Sequence, residues 1–434
     1  MAEVVVIGAG LGGLPTAYEL RNLLPRQHTV TLISDQPKFT FIPGLIQVAL
    51  GLKPLNKLQL DLKELTKRQG IKWIQGKVTK LDRQKKQLQV GDRQINYDYV
   101  AIATGASLAF DEIPGLGVDG GYTHSVCTPD HALAAKVAWK EFLQNSGALV
   151  VGAMPGAACF GPAYEFVLMA DWELRRRGLR EQVSISFVTP EPYPGHLGIG
   201  ALKNTAELTS GLLRERGIKV ISNVAIAKID PQEIHLANSD RLPFQYAMIL
   251  PSFRGVQFLQ EVPELTTQKG FIPVLPTYRH QRFSSIYALG VTVDLEQPEK
   301  TPIPISLPKT GQMTEAMGLA VAHNIAVELG AIAAPFQSAT LESICFAEFG
   351  NTGIAYIAAP ILPDPVTGKR RYFVAIRGRW VKWVKEAFER YFLWKMRLGM
   401  GVPWFERWGL RILLGLSLLK PLPEFLQKEN SSCA

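Results

Sequence analysis

Cysteine is scarce in this chain, with four in 434 residues and no CxxC or paired Cys/His spacing. That excludes a disulfide scaffold and a zinc ribbon, and no metal site is expected. Long hydrophobic runs are missing too. No stretch of about 18 uncharged apolar residues occurs, the length a bilayer core demands, so no spanning helix is expected. Acidic residues fall short of basic ones: 38 Asp and Glu against 47 Lys and Arg leave a net charge of +9. An excess of that sign points to an anionic partner, lipid or nucleic acid. No RNA- or DNA-reading motif is present and the basic residues gather near the C-terminus, so no nucleic-acid partner is expected and lipid is favoured. The chain enters a strand at once with no charged leader, so no secretory signal is expected. Its length predicts two or three domains with ample core.

What is there begins with glycine. Ala2 to Ile7 is a buried-strand run, followed by Gly8-Ala9-Gly10-Leu11-Gly12-Gly13 and a helical pattern from Leu14 to Leu24 that Pro25 closes. Strand, GxGxxG and helix in that order predict a dinucleotide site, because glycines let backbone amides approach a pyrophosphate. The second strand, His28 to Ile33, ends at Ser34 and Asp35 where an acidic ribose partner is expected. Ser34 stands at the usual position, and its hydroxyl can still bond a ribose. Two later segments select flavin over nicotinamide. Tyr97 to Gly105 is a strand ending in Ala103-Thr104-Gly105, followed by Ile113-Pro114-Gly115, as in two-dinucleotide-domain flavoproteins. Ser285 to Gly290 resembles the strand that ends in Gly-Asp in that superfamily, with Val291 in place of the aspartate.

A second nucleotide pattern is damaged. Ala148 to Cys159 reads as a strand running into a helix, but the three glycine positions hold Gly152, Met154 and Ala157. Met154 puts a side chain where phosphate would sit and Pro155 removes an amide donor. Cys159 lies just past this turn, where the positive end of a helix is expected to favour thiolate. The expected chemistry there is a reaction at sulfur.

The last hundred residues change character. After Pro365 come twelve basic residues from Lys369 to Arg411, interleaved with Trp380, Trp383, Trp394, Trp404 and Trp408. On a helical wheel Trp380, Val384, Ala387, Tyr391, Trp394 and Leu398 share one face, opposite Lys382, Glu386, Glu389, Arg390 and Arg397. A basic, tryptophan-rich amphipathic helix, with the apolar segment Leu410 to Leu419 after it, suits a membrane interface. The rival is packing against the protein's own body or a second subunit.

With these residues in view, the chain resembles the membrane-bound bacterial sulfide:quinone oxidoreductases, within the disulfide-reductase-like flavoproteins. The motifs are Ser125-Val-Cys127-Thr-Pro-Asp-His131, Cys159-Phe-Gly-Pro-Ala-Tyr-Glu165, Glu191-Pro-Tyr-Pro-Gly-His196-Leu-Gly, Pro308-Lys309-Thr310-Gly311 and Ile344-Cys345-Phe346. The resemblance implies an α/β fold of two Rossmann-like domains, one binding FAD and one degenerate, plus a C-terminal amphipathic membrane-binding region. The expected segments are 1–112 and 280–335 for the FAD domain, 113–279 for the second domain and 336–434 for the quinone and membrane region. It implies that Cys159 and Cys345 are a redox pair that oxidises sulfide to polysulfide or sulfur through a disulfide and persulfide. Electrons would then pass through the flavin to a membrane quinone (ubiquinone, plastoquinone or menaquinone). Cys127 matches a third family cysteine near the flavin, a site of covalent attachment in some members, whereas Cys433 has no counterpart. Glu165, His131 and His196 are expected to manage protons. Gly8, Gly10, Gly12, Gly13, Ser34, Asp35, Ala103, Thr104, Gly105, Gly290, Lys309, Thr310 and Gly311 are expected to hold FAD, and Phe346, Lys385, Phe388 and Phe405 to meet the quinone. The resemblance further implies a peripheral, monotopic protein on the cytoplasmic face of a prokaryotic membrane, and allows a homo-oligomer. A type II NADH:quinone oxidoreductase is the main alternative, which the damaged second turn opposes. Flavocytochrome c sulfide dehydrogenase lacks the basic C-terminal segment, and a non-enzymatic flavin redox adaptor is separated by turnover with sulfide.

Overall fold

The computed structural model describes residues 1–200, 204–363 and 369–423. Strand β1 (Glu3–Ile7) leads through the glycine turn into helix α1 (Gly13–Leu23), followed by β2 (Thr29–Ser34), β3 (Lys72–Gln75) and β4 (Tyr99–Ile102). The chain then builds a second unit from α2 (Pro129–Gln144), β5 (Leu149–Ala153), α3 (Gly161–Arg176), β6 (Ile185–Thr189), β7 (Lys219–Ser222) and β8 (Tyr246–Leu250). It returns to the first unit with β9 (Ile286–Ala288) and α4 (Gly311–Glu328). The first sheet has the order β9-β4-β1-β2-β3 and the second β7-β6-β5-β8, every pairing parallel. Parallel sheets bury both faces, which is why β1 and β5 read as unbroken apolar runs rather than alternating ones.

A third sheet follows, antiparallel, from β10 (Ser343–Glu348), β11 (Gly353–Ala359) and β12 (Tyr372–Arg377). Helix α5 (Trp380–Arg397) lies on β10 and β11, and α3 packs on the same strand β10. That shared strand brings the second unit and the C-terminal region together at the cysteines. Helix α6 (Trp404–Leu414) ends the helical part. Among the described residues no helix is long and apolar enough to cross a membrane.

Helix α4 starts under a Thr310 cap and stops at Glu328. One local expectation needs correction. Leu410 to Leu419 is not one apolar surface. Gly415 adopts a left-handed φ of 62°, the conformation glycine tolerates best, and caps α6 there. Leu416 and Leu418 then turn into the core, and Leu419 joins a short strand against Gln337–Ala339.

Candidate active site

The first glycine turn has the shape a dinucleotide needs. Gly8 has φ 100°, and a Cβ there would collide with the Ala103 carbonyl; one on Gly13 would collide with the Gly8 carbonyl. On Gly12 it would meet Thr314 Cγ2 at 2.5 Å, whereas at Gly10 it would meet no protein atom within 4 Å. Gly8 and Gly13 therefore pack backbone on backbone, Gly12 packs on the Thr314 and Leu289 side chains, and Gly10 faces open space at the end of β1, where a pyrophosphate approaches the helix start. Ala103 donates its N–H to the Ile7 carbonyl, which lays the Ala103-Thr104-Gly105 turn beside the glycines. Thr292 Oγ1 holds the Gly105 carbonyl at 2.9 Å. Ser34 closes its own turn, donating to the Gln36 carbonyl at 3.0 Å, and Asp35 beside it is exposed. Gly290 has φ 73° and packs against Thr314. Lys309, half-buried with its ammonium 4.8 Å over the Phe271 ring, has its pKa pulled down to about 8 by loss of solvent around the charge. Thr310 caps α4 and its hydroxyl meets Ser343 Oγ at 3.0 Å, joining this helix start to the strand of Cys345. These residues fit FAD.

The second turn does not offer the same surface. Met154 N–H donates to Leu250 O at 2.8 Å, Ala157 N–H to Met154 O at 3.0 Å, and Gly156 N–H to Ser252 Oγ at 3.2 Å. Met154 itself is buried. The amides that would receive a pyrophosphate are spent inside the protein.

Beyond that turn stands the sulfur site. Cys159 precedes α3, and Cys345 lies on β10 opposite Tyr356 of β11. The fold brings them close enough that charge on Cys159 raises the Cys345 thiol. Burial is the main cause of both shifts and pushes Cys159 up to about 11 and Cys345 up to about 12. The expectation that the helix start favours thiolate at Cys159 is thus overturned. The Gly161 N–H does donate to that sulfur, but burial outweighs it, and the charges of Glu191 and Glu165 add to the rise. Cys127 lies before α2, where its N–H donates to Ser125 Oγ at 3.2 Å; burial pushes its thiol up to about 11. Cys433 lies outside the described residues.

Glu165, on α3, is buried and forms an ion pair with Lys385 of α5. Burial lifts its carboxyl to about 7, against the pull of Lys385. Lys385 therefore reaches the acid of the cysteine helix rather than open solvent. His131 sits in the first turn of α2, edge-on to Phe110 at 5.2 Å, its Nδ1 buried without a partner. His196 is buried on the loop after β6, with Nε2 3.6 Å from Glu299. Burial lowers the pKa of both rings. Phe346 meets Trp380 edge-on at 6.4 Å, Phe388 lies 6.4 Å from Phe41, and Phe405 lies 6.4 Å from Tyr391.

Two acids were missed as site residues. Glu191 belongs to the Glu191-to-Gly198 motif without a role there, yet it is fully buried with its carboxyl lifted to about 7 by burial. Glu348, three residues after Cys345, accepts from Gln47 Nε2 at 2.8 Å, and its N–H bonds Glu165. Each stands where an acid interrupts or directly follows an apolar strand, and that signal was legible. Among the described residues no group of three His, Cys, Asp or Glu is arranged around a metal.

Helix α5 buries Val381, Phe392, Leu393 and Met396 against the body and turns a second apolar face outward. Trp380, Val384, Trp394 and Leu398 are exposed, and Trp383 is 69% exposed. Some of its charges point inward and are paired: Glu389 with Lys53 at 2.5 Å, and fully buried Lys395 with Glu315 at 2.6 Å and Glu406 at 2.9 Å, whereas Arg390 and Arg397 are exposed. On α6, Trp404 is 77% and Leu413 81% exposed, beside Trp408 and Ile412.

Two parallel dinucleotide-fold sheets, the second of which meets the antiparallel third sheet at Cys159 and Cys345, define a redox flavoprotein of the two-domain class. The family model for pyridine nucleotide-disulphide oxidoreductases matches residues 2–303. The chain is 37% identical to the sulfide-quinone reductase of Aquifex aeolicus over 95% of both chains. The crystal structure of the sulfide:quinone oxidoreductase from that bacterium matches with a TM-score of 0.92, 36% identity and 98% of each chain covered. The chain belongs to the sulfide-quinone reductase family within the pyridine nucleotide-disulphide oxidoreductases. By contrast, a type II NADH:quinone oxidoreductase from Haemophilus influenzae matches at 30% identity over only 24% of this chain and 27% of its own. The NADH alternative is the weaker one.

Proposed function

We propose that this chain is an FAD-dependent sulfide:quinone oxidoreductase acting at the surface of a lipid bilayer. The observation that carries the reading is the convergence of Cys159 and Cys345 beside Glu165 and Lys385. In the oxidised pair, hydrosulfide attacks one sulfur of the Cys159–Cys345 disulfide, the S–S bond breaks, and a persulfide remains on one cysteine with a thiolate on the other. Bound FAD supplies the two-electron acceptor that links this sulfur to quinone. Gly8, Gly10, Gly12 and Gly13 with Ala103, Thr104 and Gly105 hold it on one side, Ser34 and Asp35 the ribose end, and Gly290 with Lys309, Thr310 and Gly311 the other. A cation at Lys309 and the start of α4 favour added negative charge nearby. Glu165, placed between cysteine and Lys385, is suited to hold a proton near neutral pH. His131 and His196 serve proton exchange in the same reading, and Cys127 flanks the cofactor.

Quinone approaches from the side of Phe346, Phe388 and Phe405, where the exposed apolar face of α5 and α6 also lies. An outward face of indoles and leucines with inward ion pairs supports lipid contact over self-packing, since water is a poor neighbour for such a patch. The protein is read as peripheral, on the cytoplasmic side of a prokaryotic membrane. Anaerobic sulfide should bleach the flavin absorbance of the purified protein within the mixing time, and added quinone should restore it. Flavin that stays oxidised under excess sulfide would overturn the reading.

A further inference from the structure

Glu191 stands two residues past the end of β6, at the carboxyl edge of the second sheet, and no solvent reaches it. Its Oε2 accepts from Tyr164 Oη at 2.6 Å and Thr189 Oγ1 at 2.6 Å, and its Oε1 accepts from Leu197 N–H at 2.6 Å. Glu165 has Lys385; among the described residues Glu191 has hydrogen-bond donors and no ion-pair partner. These donors favour the ionised form and pull the carboxyl down, and burial outweighs them, so the group exchanges a proton near neutral pH.

The surroundings tie this acid to both cysteines. Tyr164 sits on α3 three residues after Gly161, whose N–H bonds Cys159, and its Oη accepts from Gly195 N–H at 2.9 Å. Gly195 packs against Thr209, whose hydroxyl lies 3.4 Å from Tyr356 Oη, and Tyr356 is the cross-strand partner of Cys345. A buried file of hydroxyls thus runs behind the two sulfurs with Glu191 as its acid. The same loop carries His196, whose buried Nε2 lies 3.6 Å from the half-exposed Glu299. The titratable groups that feel Glu191 are Cys159 and Tyr164 from the cysteine loop and α3, Tyr356 from the third sheet and Tyr193 from its own loop; Glu165 and Cys345 lie next to Cys159, and Glu299 next to His196 and Tyr193.

We propose that Glu191 is the acid–base group of the sulfide side: ionised, it takes the proton of incoming hydrogen sulfide, and the proton leaves toward His196 and Glu299. This inference rests on the sulfide reading above. In balance, hydrogen sulfide gives its proton to the Glu191 carboxylate, and the hydrosulfide sulfur bonds to Cys159. The Cys159–Cys345 bond breaks and Cys345 departs as thiolate with the electron pair, so sulfide is oxidised and the disulfide reduced. The carboxyl, lifted to about 7, is matched to a proton exchanged near neutral pH.

The test uses the full-length holoprotein and Glu191→Gln, which keeps the volume and can still accept from Leu197. Two readouts are taken. After reduction, iodoacetamide alkylation of Cys159, followed by mass spectrometry of its peptide at pH 8.5, should be roughly threefold to tenfold faster than in wild type. A negative neighbour that opposed thiolate has gone. Sulfide turnover at neutral pH should fall by about 100-fold or more, recover on raising the pH as hydrosulfide forms in solution, and return in part with Glu191→Asp. An unchanged alkylation rate, or turnover within about twofold of wild type across the pH range, sinks the inference. Wild-type protein that fails to consume sulfide sinks the sulfide reading instead. Should Glu191→Gln not fold, Tyr164→Phe serves. Losing that donor should move the acid limb of turnover to higher pH, and an unmoved limb overturns the role.

Discussion

Lys385 of the aromatic helix and Glu165 of the cysteine helix form a buried ion pair, joining the outward-facing C-terminal region to the sulfur site. The pair couples two elements that the sequence separates widely. Neither charge has much water around it, so each depends on the other.

Removing one partner should therefore cost more than removing both. Lys385→Met is expected to lower stability by about 3–5 kcal/mol at pH 8 and above, where Glu165 must either stay buried and charged without a partner or hold a proton against the solvent pH, and by less at pH 6, where it is protonated. The double variant Lys385→Met with Glu165→Gln should recover most of that. Urea unfolding of the four proteins of the cycle checks it; additive losses would show that the two groups do not interact.

Cys159→Ser and Cys345→Ser should each abolish sulfide:quinone turnover, by at least about tenfold and typically far more. Serine forms neither disulfide nor persulfide. FAD content should stay near wild type, since neither residue belongs to the glycine turn, and Cys433→Ser should be silent. Activity and the flavin-to-protein absorbance ratio are the measurements. Retained turnover in both single variants would remove the cysteine mechanism.

NADH and NADPH should leave the flavin oxidised under conditions where sulfide bleaches it. The reason is local: the second turn spends its amides on Leu250, Met154 and Ser252. Stopped-flow absorbance decides, and rapid bleaching by NADH would restore the NADH:quinone reading.

Cutting the chain at Trp380 would be a poor test of lipid binding, because it also removes buried Val381, Phe392 and Met396 and strands Glu165, Glu315 and Lys53. Surface changes are cleaner. Trp404→Ser, Trp408→Ser and Leu413→Ser should leave the melting temperature near wild type while weakening vesicle binding, by about tenfold for each side chain that enters lipid. High salt should weaken binding only in part, since burial of apolar surface is not screened. Sedimentation with anionic vesicles reads this, and unchanged binding would assign the face to subunit packing.

Stability should fall as pH rises through the neutral range. Glu165 and Glu191 titrate near 7 in the fold but near the ordinary 4.5 when unfolded. Between those values the folded protein binds more protons, so raising the pH favours the unfolded chain. Glu191→Gln should shrink the difference in unfolding free energy between pH 5 and pH 8 by on the order of 2 kcal/mol. Equal pH dependence in both proteins would contradict the raised value.

Much of this protein was legible locally. GxGxxG between strand and helix, the obstructed turn from Gly152 to Ala157, and the tryptophan stripe of α5 are matters of spacing, and neighbouring residues are enough to impose them. The tertiary structure decided what spacing cannot carry. It set Cys159 beside Cys345 by packing α3 and β10 together. It reversed the expected acidity of the Cys159 thiol, because burial is a property of the whole fold while a helix end is local. It aimed Lys385 at Glu165, gave Glu191 its three donors, and sent Leu416 and Leu418 inward past Gly415. A pattern of residues determines which face of an element is apolar; which face meets the protein, and at what electrostatic cost, depends on the distant segments that surround it.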